Sequence, residues 1–205
     1  MNTVKCVLKV IGFNLLLTLL LAIPLYIFER VTEFKYVEFN YIIYTASYLI
    51  YFPYLYWLFK KTKITYEQKP FNTKWLLLSI LLGVIVFALN KADEMIIGAH
   101  GNFNFNIIKL LSGIILAPIF EELFWRLWMT KYMERHKVSI WVIALVPAFL
   151  FWFGHANFLI GKWRIDSFLS ALIFFFAYRK TSDIRYSMII HAIGNLLIDV
   201  FPLII

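Results

Sequence analysis

Seven predominantly apolar stretches alternate with short polar breaks along the chain, at roughly 9–28, 39–59, 75–97, 107–129, 138–160, 165–179 and 184–205. Most approach the ~20 residues (range ~17–25) that an α-helix needs to cross a bilayer. None carries the continuous polar face that a helix on the surface of a water-soluble protein requires. The sixth stretch is short. The third weakens after Asn90, where Lys91, Asp93 and Glu94 crowd together. This pattern predicts an all-α fold: a polytopic transmembrane helix bundle of about seven spans, forming a single membrane domain over residues 1–205. Asn106, Asp166 and Asp183 stand just before apolar runs, where helix N-caps are expected. Pro24, Pro53, Pro118 and Pro147 fall inside runs, as membrane helices tolerate. Pro118 should kink or loosen its helix just before Glu121.

Composition turns the pattern into a class. Apolar residues make up 62% of the 205 and the mean hydropathy is +0.76, against about 45–50% apolar in soluble domains. Aromatics reach 20%, with Trp and Tyr frequent near segment ends, where membrane interfaces favour them. The net charge of +8 would suggest nucleic acid in a soluble protein. Here the basic residues flank apolar runs, so topology and anionic lipid explain them and no nucleic-acid partner is expected. With the N-terminus cytoplasmic, thirteen Lys and Arg residues fall on the inner side and six on the outer. Lys60, Lys61, Lys63, Lys69 and Lys74 supply most of that asymmetry. Cytoplasmic loops carry the Lys/Arg excess, so this orientation is the expected one. The first run lacks a small-residue cleavage site and reads as a retained helix. Cys6, the single cysteine, excludes an internal disulfide framework and a multi-Cys metal site.

The chemistry concentrates in three polar interruptions of apolar helices: Glu121-Glu122 with Arg126, His155 four residues after Phe151, and His191 with Asn195. Charged and ionisable side chains are expensive in lipid and mark function by default. Residues four apart share a helix face, so Glu122 and Arg126 can pair. Glu121, turned by about 100°, is then free to meet water as a general base. His191 and Asn195 also share a face, and two donors on one rigid face can hold an oxyanion. Phe151 is placed to pack beside His155. A single hydrolytic site requires Glu121, His155, His191 and Asn195 to converge, with the cavity open toward the cytoplasmic half and Glu122 and Arg126 paired away from it.

At these residues the chain resembles the CAAX-protease and bacteriocin-processing (CPBP) family, also called Abi proteins or type II CAAX prenyl endopeptidases. The family pattern is Glu-Glu-x-x-x-Arg, Phe-x-x-x-His and His-x-x-x-Asn/Asp. It appears here in order as Glu121-Glu122-Leu123-Phe124-Trp125-Arg126, Phe151 to His155, and His191 to Asn195. Leu127 stands where the family often has Gly. The similarity covers roughly 107–200, the catalytic core, and leaves 1–106 as peripheral helices. The resemblance implies an intramembrane glutamic endopeptidase that needs no metal or other cofactor. Glu121 would be the base, helped by His155 in activating water. His191 and Asn195 would hold the oxyanion, and Glu122 and Arg126 would support the site. It also implies a peptide or membrane-protein substrate, and a multi-pass protein of the bacterial cytoplasmic membrane in peptide processing or bacteriocin immunity.

Three alternatives stand beside this reading. Glu121, His155 and His191 are residue types that suit zinc, which would make a zinc-dependent intramembrane protease. A non-catalytic membrane immunity or scaffold protein would keep the cluster for helix packing. A transporter with an acid relay would be expected to show an inverted repeat, and none is found in the sequence.

Overall fold

The structure, a computed structural model, describes residues 2–32, 37–96, 107–155 and 164–201. Among these the chain is all-helical, without strands. The helices are α1 (Thr3–Thr32), α2 (Val37–Thr62), α3 (Thr73–Ile96), α7 (Ile140–His155), α8 (Ile165–Thr181), α9 (Ile184–Val200) and a composite rod. The rod runs α4 (Ile107–Leu111), π1 (Ser112–Leu116), α5 (Ala117–Glu122), π2 (Leu123–Trp128) and α6 (Met129–Arg135), where π1 and π2 are π-helical. These are seven helical rods, one for each apolar run. The parts of two runs at 156–160 and 202–205, Ile97, and the expected cap Asn106 lie outside the described residues.

Among the described residues two helices are long and apolar enough to cross a bilayer by themselves, within Thr3–Leu20 and over Thr73–Ile96. α7 is intensely apolar but has only 16 residues, about 24 Å of rise. Large apolar side chains face outward along these helices, including Leu77 and Leu81 on α3 and Trp141, Phe149 and Phe153 on α7. Inside, Phe124, Trp128 and Tyr132 lie four residues apart and stack successively at 5.6 and 5.2 Å between ring centroids. Phe13 of α1 meets Trp128 edge-on. Cys6, Leu58 and Ala144 pack into the same core, which makes Cys6 a packing residue.

α9 is pressed between α3 and the rod. A Cβ on Gly83 of α3 would meet Ile193 Cγ2 at 2.6 Å, and one on Gly194 of α9 would meet Val86 Cγ1 at 2.8 Å. Both positions must be glycine for the backbones to approach this closely, the small-residue logic of helix pairs in lipid.

At the end of the bundle where α2, α6, α8 and α9 meet, the segment 63–72 forms a strap fastened through its backbone carbonyls. Lys131 donates to Thr65 O at 2.7 Å and Arg135 to Lys63 O at 3.1 Å, while Arg185 holds Lys69 O. The Asn72 N–H donates to the Tyr186 hydroxyl at 2.7 Å. Asp183 caps α9 as expected, accepting from the Arg185 N–H at 3.0 Å. It also accepts from Tyr66 of the strap at 2.8 Å.

Asp166 differs from expectation. Arg164, in the left-handed region (φ 46°), stands at the start of α8 without a side-chain capping bond, and Asp166 lies inside the first turn. Its carboxylate is occupied by Arg164 at 2.9 Å and by Asn90 of α3 at 2.9 Å, so it serves a tertiary clasp instead of capping. The same clasp explains how α3 continues past Asn90. Lys91 pairs with Glu94 at 2.8 Å, and Asp93 faces Arg164 at 3.9 Å.

Burial disfavours ionisation of Asp183, but the hydrogen bonds from Arg185 and Tyr66 outweigh it and hold the carboxyl below its usual range. A depressed folded pKa contributes stability that is present above the unfolded value of about 3.9 and is lost as pH falls through the folded value. The thermal midpoint of the detergent-solubilised protein should therefore drop as pH falls below about 4. Asp183→Asn should flatten that dependence.

Candidate active site

The rod carries the first half of the site. Glu121 and Glu122 end α5, between the two π segments, a kind of helix irregularity that recurs at functional positions. Glu122 has no solvent exposure and Arg126 only 2%. A charge this enclosed must be paired and hydrogen-bonded. Glu122 Oε2 is ion-paired with Arg126 Nε at 3.1 Å and accepts from the Ser187 hydroxyl at 2.5 Å, and Oε1 accepts from His191 Nδ1 at 2.9 Å. A carboxylate only accepts, so His191 carries its proton on Nδ1.

The expected Glu122–Arg126 pair forms, and His191 joins it. Arg126 takes only one of the two carboxylate oxygens, and His191 reaches the other. Glu122 is thus the anchor of His191. The far side of that imidazole faces the other acid: His191 Nε2 lies 3.9 Å from Glu121 Oε2. Among the described residues Oε2 is buried without a hydrogen-bond partner, as are both terminal nitrogens of Arg126. Glu121 Oε1 faces the Tyr48 hydroxyl of α2 at 3.4 Å.

Aromatic rings set the planes of these groups. Phe174 of α8 stacks on His191 (4.9 Å, 13°). The Arg126 guanidinium lies over both Phe151 (4.6 Å) and Phe174 (4.9 Å), a cation–π sandwich that fixes the fork.

His155 does not join this group. It is the last residue of α7, its ring is exposed, and Nδ1 bonds its own helix at Phe151 O, 2.8 Å away. It stacks on Phe151 at 4.2 Å, as the four-residue spacing suggested, and Phe151 in turn meets His191 edge-on at 6.3 Å. One aromatic ring thus touches both imidazoles, and the residue that α7 presents to the buried cluster is Phe151. Among the described residues no three His, Cys, Asp or Glu side chains form a metal-ligating group, so Glu121, His155 and His191 are not arranged as a zinc set.

Asn195 is placed by the rod's backbone. In π1 the Ala117 N–H bonds Ser112 O, five residues back. The next bond in that register would run from residue 118 to Gly113 O, but residue 118 is proline and has no N–H. Asn195 Nδ2 supplies the missing donor, reaching Gly113 O at 2.8 Å. Gly113 lets α9 approach this closely: a Cβ there would come within 3.3 Å of Asp199 Oδ2. One of the two amide hydrogens expected for an oxyanion is therefore committed to structure.

Sequence reasoning passed over three contributors. Ser187 is four residues before His191, on the face shared with Asn195, so the same spacing argument would have found it. Phe174 sits in a run of three phenylalanines and carries no local signal. Tyr48 lies on α2, far from the motifs. With Phe120 it also walls an apolar groove of ≈ 560 Å³, to which Leu49, Phe52, Ile108 and Leu116 contribute.

Residues 103–197 match the family model described as Type II CAAX prenyl endopeptidase Rce1-like. No curated protein and no solved structure matches the chain.

Replacing Asn195 by Leu leaves Gly113 O without its donor. A fully buried unsatisfied acceptor costs about 1–3 kcal/mol, and Gly113 is half-buried, so Asn195→Leu should lower stability by about 1 kcal/mol, measured by unfolding in detergent. An Asn195→Leu protein as stable as the native one would remove the backbone-repair role.

Proposed function

We propose, from a segment 103–197 that belongs to the CPBP family, that this protein is an intramembrane endopeptidase that hydrolyses a peptide bond with a glutamate-activated water. The observation that carries the reading is the state of Glu121. It is a buried carboxylate with Oε2 unpaired, 3.9 Å from an imidazole whose other nitrogen is anchored. An unpaired carboxylate oxygen is a general base in waiting. In this reading Glu121 removes a proton from water, and the oxygen attacks the scissile carbonyl carbon. The carbon–nitrogen bond then breaks as the proton passes to the departing amine. The Glu122–His191 bond holds the neighbouring imidazole in one tautomer and orientation, the role a buried carboxylate plays behind a catalytic histidine. His155 keeps Nε2, and Asn195 a second amide hydrogen, for contact with water or the carbonyl oxygen.

The setting is a bilayer. The outward apolar faces of α3 and α7 support it, as does the gathering of Lys131, Arg135, Lys69 and Arg185 at one end of the bundle. Basic residues at one end fit the cytoplasmic side, which supports a cytoplasmic N-terminus. An apolar peptide or membrane-protein substrate matches the lipid-facing groove beside Tyr48. The abundance of Phe, Ile, Lys and Asn supports a bacterial source, where this chemistry would serve peptide processing or bacteriocin immunity in the cytoplasmic membrane.

Glu121→Gln keeps size and removes the base. Turnover should fall by at least ~100-fold, the scale of general-base catalysis, with stability unchanged. Comparative peptidomics of cells carrying the native or the Glu121→Gln protein gives the readout, as peptides present only with the native enzyme. Near-normal processing by Glu121→Gln would end the glutamate-base mechanism.

Metal chemistry is tested separately. EDTA and phenanthroline should leave turnover unchanged, and metal analysis of the purified protein should find no stoichiometric zinc. One zinc per chain, lost together with activity and restored with it, would replace this reading by the zinc-dependent one.

A further inference from the structure

We propose that Tyr48 is a positioning residue for Glu121, supplied by α2 from outside the family-matched segment. The inference rests on the endopeptidase reading and extends the site beyond its three motifs. Glu121 ends in a carboxylate whose last torsion is broad and two-fold, so its plane swings unless an oxygen is held. Among the described residues Oε2 has no hydrogen-bond partner. On the opposite oxygen the Tyr48 hydroxyl donates to Oε1 at 3.4 Å. The contact is long for an O–H···O bond, and such contacts in a substrate-free site tighten when substrate binds, where a hydroxyl donating to a carboxylate is charge-assisted. Fixing Oε1 fixes the direction of Oε2, the oxygen beside His191 Nε2.

Tyr48 is itself rigid enough for the task. It is 4% exposed, and its ring stacks on Phe120 (5.4 Å, 22°) and leans on Tyr51 (5.4 Å, 35°). Phe120 precedes Glu121 in α5. The platform under the phenol and the carboxylate it holds therefore belong to the same helical turn and move together. The hydroxyl is the part that packing does not need. The ring alone would fill the same space, and a phenylalanine would cost less to bury here.

The test separates hydroxyl from ring. The probe is an internally quenched version of a peptide that the cell comparison identifies as cut by the native protein, assayed in proteoliposomes. Tyr48→Phe keeps the stack and should lower kcat about tenfold, the order expected for one hydrogen bond to a charged group. KM should stay within about twofold and the thermal midpoint should not move. Tyr48→Leu removes the stack as well and should lower the midpoint. Normal kcat in Tyr48→Phe, a rise in KM alone, or an activity loss that merely follows a lowered midpoint overturns the proposal. Glu121→Gln, run in parallel, tells the two claims apart. If it is inactive while Tyr48→Phe is normal, only the tyrosine assignment falls. If it is fully active, the glutamate-base mechanism falls and this proposal with it.

Discussion

A carboxylate with no solvent exposure organises this molecule. Glu122 can remain ionised in an apolar interior only if the surrounding chain supplies compensating donors, because an unpaired buried charge costs far more than a fold can spare. The rod provides Arg126 from one turn further on, and α9 provides Ser187 and His191. Two helices more than sixty residues apart in sequence are thereby locked at one depth and one rotation. Glu121 inherits its place from this lock. Being next in sequence to the anchored acid, it is carried to the other side of the imidazole and left with an oxygen unpaired. The two acids have the same chemistry and opposite fates, and the difference lies in their partners.

The rod's irregular backbone belongs to the same arrangement. An uninterrupted α-helix through Pro118 would leave a carbonyl without its donor and a ring clashing with the preceding turn. The π1 segment takes up the mismatch, and Asn195 meets the carbonyl that the proline leaves. Proline, glycine and asparagine, unremarkable singly, become a unit once Gly113, Pro118 and Asn195 are seen as the acceptor, the missing donor and its replacement.

Much of this was legible in the sequence, for physical reasons that also define what was not. Apolar runs of near-spanning length gave the seven helical rods, because hydropathy and length are local properties. Four-residue spacing gave the Glu122–Arg126 pair and the Phe151–His155 stack, because both lie within one helix. What crosses between helices was not legible. Spacing within α9 placed His191 and Asn195 on one face, yet one bonds Glu122 and the other a backbone carbonyl, and only the rod decides which. His155 was grouped with the acids by its chemical type, but the end of α7 turns it onto its own carbonyl. Asp166 looked like a cap from its position before an apolar run, and a buried asparagine on α3 claims it instead. Tyr48 had no signal at all, since a tyrosine on an aromatic-rich helix is unmarked until its partner is known.

The glycine crossing of α3 and α9 has a bearing on how finely the spacing between Glu121 and His191 is held. α9 has two working faces. One presents Ser187 and His191 to the acids, and the other presents Ile193 and Gly194 to α3. Helices packed at interior density transmit displacement with little cushioning. The gap between His191 and Glu121 is thus gauged from behind, by the thickness of a contact containing no side chain at Gly83. Adding a single carbon there would push α9 bodily toward the rod. The mechanical tolerance of the candidate site is therefore set by a helix that contributes none of its side chains, and the 103–197 segment taken alone would lack the surface against which it is calibrated.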